Sequence, residues 1–264
     1  MRSSDLLPAL ARTGRLGVRE YLVDYPSRIL LGAVLPRALL QVVFLTMLGR
    51  AVGGADGALA AGLGASAFNI VSPTVIKAPD VLINERLQGT LYRLRMTELP
   101  LSALVAARWV VYAAEGLVAA LLAVPVVALV TGRTEPLTDL PATLPLYLLM
   151  ALTASGFGLA LAVVAVGRRA DVFLTNFGSY LVLAFSGVLA ALPAGGPRAL
   201  AGAVLPISHG IAALRAVQDN ADTGQVLRLA AAEALVGIGW ALAAVLGLRV
   251  QAYRLRRSGN DFLI

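Results

Sequence analysis

The chain has 264 residues, 58% of them hydrophobic and 14% charged, with a mean hydropathy of +0.80, which excludes an ordinary water-soluble domain. A net charge of +7 would suggest nucleic acid in a soluble protein; in a chain this apolar it reads as anchoring at the cytoplasmic face of a membrane. With no cysteine and one histidine, His209, a disulfide framework, thiol chemistry and a self-contained zinc site are excluded, and no metal is expected.

Met1–Arg28 holds five arginines and no uninterrupted apolar core, so it does not fit a secretory leader. Leu7, Leu10, Gly14, Val18, Tyr21 and Tyr25 share one helical face, and Arg12, Arg15 and Arg19 form a separate stripe. The pattern predicts an amphipathic helix over 1–28 on the inner membrane surface; the plainer reading is a solvated leader. Apolar runs then follow at the length of about 20 residues that a helix needs to cross a bilayer. Six spans are predicted: Ile29–Gly49, Asp56–Ile76, Val105–Val130, Leu140–Val166, Val172–Leu192 and Val226–Leu248. The fold class is an all-α polytopic membrane protein, with the spans over 29–248 and a basic tail over 249–264. Gly62, Gly64, Gly156 and Gly158 fall on spans and predict close helix packing.

The basic residues set the orientation. With both termini cytoplasmic, sixteen Lys and Arg lie inside, among them Lys77, Arg86, Arg93, Arg95 and Arg108 after the second span. Five lie outside: Arg50, Arg133, Arg198, Arg215 and Arg228.

The cytoplasmic segment 77–104 contains "NERLQGTLYRLRMTELPLS", the densest charged stretch of the chain. Gly89 suits a helix end and Thr90 an N-cap. Leu91 and Leu94 would share a face, with Arg93 and Arg95 pointing elsewhere, and Pro100 would end the helix before Ser102 caps the third span. A short helix of this kind suits a groove on a cytoplasmic partner. A solvated, positively charged loop fits the same residues equally well.

Between the last two spans, 193–217 reads "PAGGPRALAGAVLPISHGIAALRAV", too apolar for a loop and too broken by Gly and Pro for a span. It predicts an outer re-entrant or interfacial helical hairpin carrying His209 and Arg215. Arg37, Glu115 and Glu233 lie within spans, where each ionisable group needs a partner or water. Residue counting puts Arg37 and Glu115 at similar depth and predicts that they pair. Glu233 would lie nearer the outer face, beside Arg215, His209 or substrate. A helix-bundling ion pair and a role in translocation both remain open for these charges.

The segment Glu85–Ser102 resembles the cytoplasmic signature of ABC-2-type transporter permeases, the membrane subunits of ATP-driven exporters such as the daunorubicin-type drug efflux systems. The matching residues are Glu85, Arg86, Gly89, Thr90, Leu91, Arg93 and Leu94, followed by Thr97-Glu98-Leu99-Pro100. Glu98 stands where the family has its first proline. The likeness extends to the Arg-rich start, the six spans, "LPISHGIAALR" and the basic tail.

The resemblance implies that this segment couples the spans to a separate nucleotide-binding ATPase subunit, with two permeases facing each other across the substrate path. The only lysine, Lys77, stands in "VIKAP", so the chain has no P-loop. It would not be an enzyme, and ATP and Mg would bind on the partner subunit. The resemblance further implies export of an amphiphilic antibiotic or drug-like molecule at the cell membrane. The alternatives are an ABC exporter of a lipid or lipid-linked glycan, and a proton- or ion-coupled secondary carrier built on the three intramembrane charges. The low aromatic content, 6%, gives little support to a sugar-stacking channel.

Overall fold

The computed structural model describes residues 3–87, 100–165, 171–193 and 195–258, and these are mainly helical with no β-strand among them. The first element, α1 (Ser3–Asp24), carries its leucines, valines and arginines as the amphipathic pattern requires. After Pro26 the chain turns through Ser27–Ile29 and a π-helical turn, Leu30–Val34, into α2 (Leu35–Phe68). A second π-helical turn, Ser72–Lys77, leads to α3 (Asp80–Leu87). Then come α4 (Leu101–Thr131), the short α5 (Glu135–Thr138), α6 (Leu140–Ala165) and α7 (Asp171–Phe185). The chain ends in α8 (Pro197–Val204), α9 (Ser208–Gln218) and α10 (Thr223–Ser258).

Among the described residues, Ser27–Glu85, Leu101–Thr131, Leu140–Ala165 and Thr223–Gln251 are long and apolar enough to cross a membrane, and the bent pair α8–α9 makes a fifth if counted as one span. The first of these is not one straight crossing. At Gly53–Gly54 the backbone leaves the helix, with Gly54 at φ +64° and ψ −148°, which a residue with a side chain rarely adopts. The chain folds back on itself there. Gly49 lies against Gly57 and Ala61, and a Cβ on Gly62 would meet Thr46 Oγ1 at 3.1 Å.

Two expectations need correcting. The fifth predicted span, Val172–Leu192, is helical only to Phe185, and this 15-residue helix is shorter than the roughly 17 residues of the shortest crossings. Beyond it the backbone at 186–192 is irregular, which a membrane interior allows only where protein supplies the missing hydrogen bonds. The third helix begins at Leu101 behind an extended Pro100, not at a Ser102 cap.

The main core lies between the second half of α2, α4, α6 and α9, with Ile70, Tyr147, Met150, Ile211 and Leu214 fully buried. A second cluster at the opposite end joins Tyr21 of α1 to Val81, Leu82, Val105, Trp109 and Tyr112. The spanning glycines bring the helices close. A side chain on Gly64 would overlap the Val188 carbonyl, one on Gly158 the Thr74 carbonyl, and one on Gly62 would reach Val127 at 2.7 Å.

Candidate functional site

At one end of the bundle α1 crosses the start of α4. Gly17 permits the crossing, because a Cβ there would come within 2.9 Å of the Arg108 Cα. Arg108 is itself the centre of the contact. Its Nη1 donates to Glu85 Oε1 at 2.6 Å and its Nη2 to Glu20 Oε2 at 2.6 Å. One guanidinium on α4 thus ties down α3, through Glu85, and α1, through Glu20. Exposure rises outward, from 8% at Arg108 to 16% at Glu85 and 41% at Glu20. The planar fork of arginine suits two carboxylates approaching from different sides, which a lysine cannot match.

Deeper in the bundle, Lys77 donates to Glu115 Oε1 and lies 4.3 Å from the centre of the Tyr25 ring. Tyr21 stacks edge-on against Tyr112 at 5.3 Å and lies 5.3 Å from Tyr25. Burial, reinforced by the Glu115 carboxylate, pushes the Tyr21 phenol well above its ordinary range, so it stays neutral. The predicted Arg37–Glu115 pair is not formed. The chain remains helical through Lys77, which makes that residue part of the bundle and not a loop cation, and Lys77 takes the carboxylate. Arg37 instead donates from Nη2 to Ser72 Oγ at 2.9 Å on the exposed side of α2.

Of the signature residues, Glu85 and Arg86 fall on α3. Gly89, Thr90, Leu91, Arg93 and Leu94 lie outside the described residues.

At the far end, α8 and α9 form a helix pair bent by 98°. The break contains Ile207 with φ +61°, an unfavourable left-handed conformation for a β-branched residue. Glu233 of α10 holds it. Its Oε1 accepts the Ile207 N–H at 2.7 Å and the Thr153 hydroxyl at 2.7 Å, and its Oε2 accepts the Gly210 N–H at 2.9 Å. The carboxyl group is fully buried and satisfies the otherwise unpaired donors at the start of α9. Glu233 lies ten residues into α10, so at 1.5 Å per residue the bend sits about 15 Å below the end of that helix.

Arg215 holds the other half of α9. Its Nη2 donates to the carbonyls of Gly187 at 2.7 Å, Ala60 at 2.8 Å and, more weakly, Val188 at 3.3 Å. These supply the partners that the irregular 186–192 backbone needs. His209 contacts the Ala203 carbonyl at 3.3 Å. Neither Arg215 nor His209 is the partner of Glu233, because α9 turns its own N-terminus toward the carboxyl group.

Sequence reading missed four of these residues. The charge pattern puts Lys77 and Arg108 with the inner-loop cations and offers no partner for Glu20 or Thr153. The usable signal is that Lys77 directly follows the second predicted span and Arg108 falls inside the third.

A bundle of long apolar helices, with an amphipathic helix clamped to its base and a bent helix pair inserted at the opposite end, defines a multi-pass membrane protein. Residues 16–218, from within α1 to the end of α9, match the family model described as ABC-2 type transporter. The chain belongs to that family and is a transport permease subunit, not an enzyme in itself. Membership implies association with an ATPase subunit and with a membrane. No curated protein and no solved structure matches the chain.

Proposed function

We propose that the chain is the permease of an exporter that moves an amphiphilic, antibiotic- or drug-like molecule outward across the cell membrane. ATP and Mg would act on a separate ATPase subunit seated on the segment after α3. The observation that carries this reading is the Arg108 fork. A displacement of that segment would shift α3, pass through Glu85 to Arg108 on α4, and reach α1 through Glu20. On this reading the α1 end is cytoplasmic and the α8–α9 end faces outward. Counting the Gly53–Gly54 hairpin as two crossings and α7 with its irregular continuation as one gives six spans.

Arg37 supports a second permease. It is exposed on α2 among Leu31, Leu40 and Phe44, which are also exposed. Facing lipid, an arginine in a span costs about 2.5–3.5 kcal/mol on insertion scales, so this face suits a protein partner and an aqueous path between two copies.

The test is co-reconstitution with a P-loop ATPase subunit that co-purifies with the chain. ATP-driven transport of a fluorescent amphiphile out of the ATPase-bearing compartment, lost with Arg108→Gln, is the expected result. Transport driven by a proton gradient without the ATPase would overturn the reading in favour of a secondary carrier.

A further inference from the structure

Beside their contact at Gly14 and Gly17, α1 and α4 leave an open groove of about 1000 Å³. That is at the upper end of the volumes that hold drug-sized molecules. One wall is formed by Leu10 and Val18 of α1, and the other by an alanine and valine stripe on α4 that includes Ala106 and Val110. Arg15 and Arg19 complete the lining, and no acidic side chain contributes to it. Both arginines are exposed, and neither forms an ion pair among the described residues. The contrast with Arg108 on the other side of α1 is sharp, since that guanidinium is enclosed by two carboxylates.

The groove therefore offers an apolar floor and a cationic rim at the depth where α1 lies on the membrane. A cationic amphiphile would be repelled by the rim, and the ammonium of a zwitterionic lipid gains nothing from it. A second copy meeting this face about a two-fold axis would bring Arg15 and Arg19 against their own counterparts, which is repulsive. An anionic lipid satisfies both features. We propose that the groove binds one anionic glycerophospholipid of the leaflet at the α1 end, with an acyl chain along the alanine–valine stripe and the phosphate on Arg15 and Arg19. The inference rests on α1 lying at the membrane surface and needs no particular transport substrate. Because α1 also carries Glu20 to Arg108, the lipid would hold the helix in the position where that contact forms.

The experiment is native mass spectrometry of the full chain taken from nanodiscs of equal phosphatidylglycerol and phosphatidylcholine. Wild type should retain one phosphatidylglycerol in preference to phosphatidylcholine. Arg15→Gln combined with Arg19→Gln should weaken that retention roughly thirtyfold, as expected for removing two arginines beside anionic headgroups. Ala106→Phe, which fills the groove and leaves both arginines, should also lose the lipid. Arg12→Gln removes a charge outside the groove and should retain it. Equal retention of the two lipids, unaltered binding in the double variant, or an equal loss with Arg12→Gln would each overturn the proposal. The chain has no cysteine, so efficient chain-to-chain crosslinking through Ala106→Cys would also overturn it, by showing a second copy in the groove.

Discussion

Arg108 holds two carboxylates that lie 88 and 23 residues away in the chain, so its loss is felt on three helices together. Arg108→Gln removes the guanidinium that Glu20 and Glu85 share. Breaking a buried pair costs about 3–5 kcal/mol, but Glu20 is 41% exposed and solvent screens it, so about 2–3 kcal/mol is expected here. Arg108→Lys should recover only part of this, because an ammonium cannot reach both carboxylates with one planar fork. Thermal unfolding in detergent would rank the three proteins, and a lysine variant as stable as wild type would contradict the fork. Glu233 invites a finer substitution. Glutamine keeps its shape but places an NH2 where Oε2 accepts the Gly210 N–H. An unsatisfied buried donor costs about 1–3 kcal/mol, and amide hydrogen exchange at Gly210 and Ile211 should accelerate accordingly. Unchanged exchange at those amides would show that the carboxyl group does not hold the bend. The need of these intramembrane charges for partners was legible in the sequence, but their partners were not. Counting depth along straight helices pairs Arg37 with Glu115, and a second span that ends at Ile76 leaves Lys77 in the following loop.

At the level of elements, the long apolar helices were readable because about 20 apolar residues in a row have few alternatives. The interruptions were not. The π-helical turns at Leu30–Val34 and Ser72–Lys77 leave no compositional trace beyond a nearby glycine or proline. The end of α7 at Phe185 is set by tertiary contacts, since "SGVLAAL" is apolar enough to continue a helix while Arg215 and Pro206 supply hydrogen bonds that favour the irregular path. The Gly53–Gly54 turn is different, because there local chemistry decides. Gly53 has negative φ and open space around it, whereas Gly54 has positive φ. Gly53→Ala should therefore be nearly silent. Gly54→Ala should cost about 1–3 kcal/mol of strain, visible as reduced abundance and a lower unfolding temperature. Equal effects of the two substitutions would mean that the hairpin is fixed by packing and not by the backbone of Gly54.

For the whole molecule, the two ends are held in different ways. Hydrogen bonds accepted by the buried Glu233 and donated by the half-buried Arg215 fix α9 at one end, while at the other α1, α3 and α4 meet at a charge cluster that opens toward water. A rigid far end and a gripped near end suit a machine driven from the α1 side. The sidedness itself can be checked first: an impermeant thiol reagent applied outside cells should fail to label Ser258→Cys and should label Gly196→Cys. The coupling prediction then separates two roles for the charged segment. Glu85→Ala removes one prong of the Arg108 fork and lies at the start of the signature, while Gly89→Val alters the residue expected to end the preceding helix. Glu85 is the last residue of the first apolar stretch and Gly89 lies beyond it, so both variants should insert and accumulate near wild-type levels. Affinity for substrate should change little. Co-purification with the ATPase, or substrate-stimulated ATP hydrolysis, should fall together with export. Glu85→Ala should also loosen α3 and lower the unfolding temperature modestly, an effect Gly89→Val does not predict. If both variants assemble, hydrolyse ATP and export as wild type does, while Arg168→Ala, in the sequence between α6 and α7, uncouples, then the drive enters through that connection. The Arg108 fork would in that case only hold α1 in place.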